Sequence, residues 1–289
     1  MKMRFCLKFA VLTVLLLGTL SGVAQERFGG MTLYTVRNEM ATDPEETLEQ
    51  ISEMGYRYIE AVEYRDGKFY NMAPEAFKRE LDKLEMIPLS VHMGGASLDN
   101  ADQLIADAKE AGFKYFVAPV PPMGLFKYDR KTRSMNMTED LDSLVNILSV
   151  MGQKCHEAGL DFLYHNHDFE FKENKNGIVP IEYMLENLDS AYVNFQMDLY
   201  WVSKAGADPV AYFEQYPGRF KVWHVKDMDD KGRFAPVGKG TIDFARILEH
   251  KDLSGMQYYI VEQDRTFRGM KPLEAVRLSR EGLKKFGFQ

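Results

Sequence analysis

From residue 31 onward the chain alternates short apolar runs with amphipathic stretches, and no other feature restricts its fold so tightly. Apolar runs cover residues 31–36, 56–62, 87–91, 113–118, 161–164, 193–197, 220–225 and 258–261. Helical patterns fill the gaps at 74–84, 99–111, 139–158, 181–187, 208–215, 243–250 and 272–286, after a first helix that opens at Asp43 and stops at Gly55. That first opening, Asp43-Pro44-Glu45-Glu46, is built for a helix start. Asp43 can accept from a free backbone N–H, Pro44 suits the first helical position, and the acids sit at the positive end of the dipole. Strands that alternate with helices imply a parallel sheet, because each crossover returns the chain to the same end. About eight such units predict an α/β fold, a single-domain (β/α)₈ barrel. The rival, a doubly wound open sheet, usually carries a Gly-rich phosphate loop after its first strand, and Val36-Arg37-Asn38-Glu39 has none.

The N-terminus stands outside this pattern. Lys2, Arg4 and Lys8 precede an apolar core at 9–20, and Gly22-Val23-Ala24 offers a small-residue cleavage site. The segment reads as a secretory signal peptide, too short for a comfortable membrane span, so residues 1–24 are expected to be removed and 25–289 to form the domain. An uncleaved anchor is the alternative. Cleavage takes away three basic residues and no acids, which leaves 265 residues and moves the formal charge from −7 to −10. It also removes Cys6, so Cys155 has no intramolecular partner and the core alone must stabilise an exported, periplasmic protein. The acidity disfavours nucleic acid as a partner and suits a small neutral metabolite such as a carbohydrate. No membrane partner is expected after cleavage, and self-association into a homo-oligomer stays open.

In a parallel barrel every strand C-terminus opens on one face, where sites are built. The polar residues that close the runs are Glu60 and Glu63, then His92 with Gly94-Gly95, then His165, His167 and Glu170. Asp198 follows with Trp201 beyond it, then His224, Lys226 and Asp227, and finally Glu262, Gln263 and Asp264. Of the six histidines, only His156 and His250 lie on helices, as ordinary surface residues. Asp198, His224 and Glu262 come from three consecutive strands and supply the ligand types that suit one divalent ion, Mn²⁺, Co²⁺, Mg²⁺ or Zn²⁺. His165, His167 or Glu170 is the candidate fourth ligand. Lys226 either pairs with Asp227 or Asp264, or holds a substrate oxygen. His92 lets substrate approach the backbone or bonds a carbonyl. Glu60 and Glu63 cannot both face inward. Trp201 is a wall for a sugar ring or a rim-packing residue.

These residues carry a resemblance. Tyr164-His165-Asn166-His167, Met197-Asp198, Trp223-His224-Val225-Lys226-Asp227, Val237-Gly238-Lys239-Gly240-Thr241-Ile242-Asp243 and Val261-Glu262 are similar to the xylose isomerase-like TIM barrels, the sugar phosphate isomerase/epimerase superfamily. The resemblance covers the chain after residue 24. It implies one divalent metal held by Asp198, His224 and Glu262, and a substrate contact for Glu170. The epimerases place a fourth ligand, a glutamate that is also an acid/base, where this chain has His165, so the resemblance makes His165 its replacement. A histidine pair there is similar to the inosose dehydratase branch. The implied chemistry is proton abstraction beside the carbonyl of a non-phosphorylated sugar, with Glu262 or His167 as base and Lys226 assisting. Isomerisation or epimerisation is the first expectation, elimination by a dehydratase or keto-glycoside lyase the second, and sugar binding without catalysis the third.

Overall fold

The computed structural model describes residues 29–131 and 134–288, so the expected signal peptide lies outside the described residues. Eight parallel strands close into a barrel. They are β1 (Gly30–Thr32), β2 (Tyr58–Ala61), β3 (Ile87–His92), β4 (Tyr115–Ala118), β5 (Asp161–His165), β6 (Val193–Asp198), β7 (Phe220–Val225) and β8 (Tyr258–Val261). Each pairs with its neighbours in sequence, and β1 meets β8 through Gly30 beside Ile260. The crossover helices are α1 (Pro44–Glu53), α2 (Pro74–Lys83), α3 (Ala101–Glu110), α4 (Leu141–Ala158), α5 (Pro180–Asn187), α6 (Pro209–Gln215), α7 (Phe244–Glu249) and α8 (Pro272–Phe286). This is the (β/α)₈ architecture that the alternation predicts. Among the described residues no helix is long and apolar enough to cross a membrane.

Local chemistry sets the boundaries. Asp43, Asp140, Asp208 and Asp243 each accept a backbone N–H in the first turn of the helix that follows. Gly159 ends α4 with a φ of 84°, a left-handed conformation in which a side chain would be strained. At Gly30 a Cβ would sit 2.4 Å from the Tyr58 carbonyl oxygen, so only glycine lets β1 lie this close to β2.

The strands are buried on both faces, as parallel strands covered by helices must be. One apolar cluster fills the space between sheet and helices. A second, Leu89, Tyr115, Val117, Leu163, Val222 and Ile260, fills the barrel interior. Two residues further along the same inward rows the side chains turn polar: Leu163 gives way to His165, Val222 to His224, and Ile260 to Glu262. The barrel is thus an apolar plug below and a polar cup above, opening at the strand C-termini.

Several elements escape the sequence pattern because they are short and built into loops. A helix at Arg37–Thr42 follows β1, and another at Leu199–Lys204 follows β6. Two-stranded hairpins follow β2, β4 and β7. The first apolar run is extended only at Gly30–Thr32, because the chain turns at once, with the Thr35 N–H donating to the Thr32 carbonyl.

Candidate metal centre and active site

Asp198, His224 and Glu262 offer ligand atoms that all lie within 4.8 Å of one another. Asp198 closes β6, His224 is the penultimate residue of β7, and Glu262 follows β8. His224 Nδ1 is 3.1 Å from Glu262 Oε2 and 3.8 Å from Asp198 Oδ2. On its other side, His224 Nε2 is 2.8 Å from Glu60 Oε1. Asp198 is fixed through both ends: its Oδ1 accepts from the Trp201 N–H and its own N–H donates to Asn166 Oδ1.

Lys226 completes the charge balance. Its Nζ is 2.9 Å from Asp198 Oδ2, 2.6 Å from Glu262 Oε2 and 2.5 Å from Asp264 Oδ2, and it is fully buried. Of the two partners expected from the sequence it takes Asp264 and not Asp227. The Asp227 carboxylate instead gathers the N–H groups of Met228, Gly238, Gly240 and Ile242. The glycine motif at 237–243 is therefore a cradle for Asp227 that pins the loop after β7. Gly240 leaves room for it, since a Cβ there would lie 2.2 Å from Asp227 Oδ1.

The electrostatics follow from burial and pairing. Burial alone would raise the Glu262 pKa, but Lys226 and His224 outweigh it and hold the carboxyl well below its usual range. Burial would lower His224, yet Glu60 and Glu262 lift it to about 10. Burial likewise opposes the Lys226 charge, and Asp198, Asp264 and Glu262 push its pKa well above the usual lysine value. Asp198 goes the other way, raised by burial to about 6. His165 and His167 are depressed by burial, His167 to about 4, so both imidazoles are neutral at pH 7. Burial lifts Glu170 to about 7.

His165 does not join the Asp198, His224 and Glu262 group. It forms a second group with His92 and His224. His167 lies at the mouth, stacked on Phe169 and 5.5 Å from the Trp201 ring, and Trp201 in turn lies 5.3 Å from Lys226 Nζ. His167 Nδ1 and Trp201 Nε1 are buried atoms without a hydrogen-bond partner. Glu170 is buried: Tyr164 donates to its Oε1 and the His167 N–H to its Oε2. Glu60, expected among the substrate contacts, is beneath the site, with its carboxylate taken up by Ser90, Gln196 and His224. Glu63 is exposed, so of the two glutamates only Glu60 faces inward. His92 is also inside, bonded to a side-chain carbonyl at Gln196 Oε1. His156 is exposed on α4, and His250 follows α7 with Nδ1 3.0 Å from the Arg246 carbonyl oxygen. Buried Cys155 has its thiol pushed up to about 12, which makes it inert.

Sequence reasoning passed over Gln196, which lies within an apolar run, and Phe234, which lies in the hairpin after β7, and it gave Asp264 no role beyond pairing with Lys226. The alternation along β6 could have pointed to Gln196, because Asn194, Gln196 and Asp198 share one face. Phe234 and Gln263 also line a cavity of about 470 Å³ between the loops after β7 and β8.

A divalent ion fits this donor set. Two carboxylates and an imidazole converge with ligand atoms a coordination shell apart, and fixed groups orient them from behind. A family model described as xylose isomerase-like TIM barrel matches residues 48–286. Among curated proteins, an inosose dehydratase from Bacillus thuringiensis (strain Al Hakam) is 24% identical over 172 residues, 52% of this chain and 56% of that protein. The chain thus spans little more than half the length of that relative. Another inosose dehydratase, from Geobacillus kaustophilus (strain HTA426), is 23% identical over 258 residues, 76% of this chain and 80% of its own. Among solved structures, a sugar phosphate isomerase/epimerase from Parabacteroides distasonis ATCC 8503 is similar with a TM-score of 0.79 and 25% identity, covering 92% of this chain and 96% of the other. The IOLI protein, crystallised with a zinc atom, is similar in fold, with a TM-score of 0.68, 15% identity and coverage of 90% and 97%.

Proposed function

The chain belongs to the xylose isomerase-like TIM barrel family, and on that premise we propose that it is a divalent-metal-dependent isomerase or epimerase of a non-phosphorylated sugar. One observation carries the reading: Asp198, His224 and Glu262 converge at the strand C-termini with the Lys226 ammonium against two of them. A divalent ion held there would act as a Lewis acid on the oxygens flanking the proton to be removed. Glu262, held ionised by Lys226 and His224, is the base that takes the proton from the carbon beside the carbonyl. His167 is neutral at pH 7 with an unpartnered Nδ1, and can carry the proton to the carbon that receives it. Lys226 offers a fixed cation for a substrate oxygen, and Trp201 walls the mouth with its own free N–H. His165 is proposed as the strand-β5 contribution to the ion, from the position it takes in the family.

Elimination is the second reading. At the end of β5 the chain has a histidine pair, and no free carboxylate there faces Glu262, because Glu170 is tied to Tyr164 and the His167 backbone. The second carboxylate of a facing pair is thus missing, which suits loss of a β-substituent better than two-sided epimerisation. The relatives that are dehydratases fit this reading. One experiment serves both. The Mn²⁺-loaded protein is incubated with a panel of ketoses and a 3-keto-glycoside in D₂O. Deuterium at the carbon beside the carbonyl supports proton abstraction; an epimer or isomer then supports the first reading, and free aglycone or a dehydrated sugar the second. Binding without deuterium uptake would leave a sugar-binding protein.

A further inference from the structure

Inside the barrel, below the metal set, the side chain of Gln196 joins residues from three other strands. Its Oε1 is 2.7 Å from His92 Nε2 and 3.0 Å from His165 Nδ1, and its Nε2 is 2.6 Å from Glu60 Oε2. All four side chains are buried. An amide can be placed in two ways, and only the chemistry around it decides which. Here Glu60 decides. Its carboxylate already accepts from Ser90 Oγ at 2.8 Å and stands 2.8 Å from His224 Nε2, so it can face only a donor. The amide NH₂ must therefore point at Glu60 and the carbonyl at the two imidazoles. A carbonyl oxygen accepts two hydrogen bonds, so both facing nitrogens carry protons.

We propose that Glu60 and Gln196 act together as positioning residues that set the tautomers of His92, His165 and His224. His92 is held as the Nε2–H form and His165 as the Nδ1–H form, which leaves the lone pair of His165 on Nε2. The same carboxylate takes the Nε2–H of His224, so that Nδ1 is the nitrogen turned to Asp198 and Glu262 and would give its lone pair to an ion held between them. This assignment also decides what the cluster of His92, His165 and His224 is. Three buried imidazoles, each with a nitrogen within 4.8 Å of the others' nitrogens, could hold a second ion. Two of them already spend the facing nitrogen as a donor to one carbonyl, so the cluster is a hydrogen-bonded support and not a second ion site. The inference rests on the proposed metal set only for the role of His224; the tautomer of His165 follows from Gln196, and that of His92 from Gln196 together with Glu60 Oε1, 3.2 Å from its Nε2.

The test is a long-range ¹H–¹⁵N correlation spectrum of histidine-labelled protein, with and without one equivalent of Zn²⁺. His92 should show the Nε2–H pattern and His165 the Nδ1–H pattern in both states, and His224 the Nε2–H pattern once loaded. Gln196→Leu should mix the first two patterns and weaken Zn²⁺ binding about 10- to 100-fold by calorimetry. The opposite tautomer at either ring, or two tightly bound ions per chain, would overturn the proposal. So would a well-folded Gln196→Leu with unchanged Zn²⁺ affinity. The wild-type spectrum needs no variant, so a misfolded variant leaves the test intact. Normal tautomers with no deuterium uptake from D₂O would sink the enzymatic reading and leave this one standing.

Discussion

Glu262 and Lys226 meet at 2.6 Å near the floor of the cup, and the two make different predictions. On the proposed mechanism Glu262→Gln removes a ligand and a base at once, so deuterium uptake should fall by at least about 10²-fold. Fluorescence titration with Mn²⁺ should show binding weakened as well. Lys226→Met leaves Asp198, Glu262 and Asp264 without their buried cation and should cost about 3–5 kcal/mol in urea unfolding of the metal-free protein. Saturating Mn²⁺ should restore part of that loss; equal destabilisation with and without metal would argue that the ion does not share these carboxylates. Glu170 gives a pH signature. Burial lifts its pKa from 4.5 to about 7, although its hydrogen bonds with Tyr164 and the His167 N–H favour the ionised form. The folded state therefore keeps a proton that the unfolded chain releases near 4.5. The resulting stability is fully present below pH 4.5 and is lost as pH rises through 7. Glu170→Gln should be less stable overall but should lack this decline, read as unfolding midpoint against pH from 4.5 to 8.

At the scale of elements, the loop after β7 depends on close backbone contact. A Cβ on Gly282 of α8 would lie 1.8 Å from the Val237 carbonyl oxygen. Gly282→Ala should push α8 off the loop and cost about 1–3 kcal/mol in chemical unfolding, with a raised KM if the loop frames the substrate. The boundaries of such elements were partly legible. β7, β8 and α8 lie where the apolar periodicity puts them, because their ends are marked by Gly, Pro or charged residues. The hairpins after β2, β4 and β7 were not, because two-residue and four-residue strands bury too little to leave a period. The helix Leu199–Lys204 was hidden for another reason: its cap is Asp198, which the sequence offered first as a metal ligand. One carboxylate does both, Oδ1 to the helix and Oδ2 to the site.

The whole molecule links the site to stability, since a ligand that binds only the folded barrel stabilises it by mass action. At a hundredfold excess over Kd a divalent ion should add about 2.7 kcal/mol, so a chelator should lower Tm by roughly 5–10 °C in a domain of this size. No change in Tm would argue against a tight site. By itself the sequence determined the barrel and the strand ends that face its mouth, because burial period and helix punctuation are local properties. It also put the carboxylates and imidazole of Asp198, His224 and Glu262 at those strand ends. Only the tertiary structure decided that Glu60 and His92 lie under the site and that Lys226 stands among three carboxylates. It alone brought Gln196 to the centre of the histidines. Those facts depend on which inward side chains meet across the barrel axis, and strands far apart in the chain carry no record of that in their own residues.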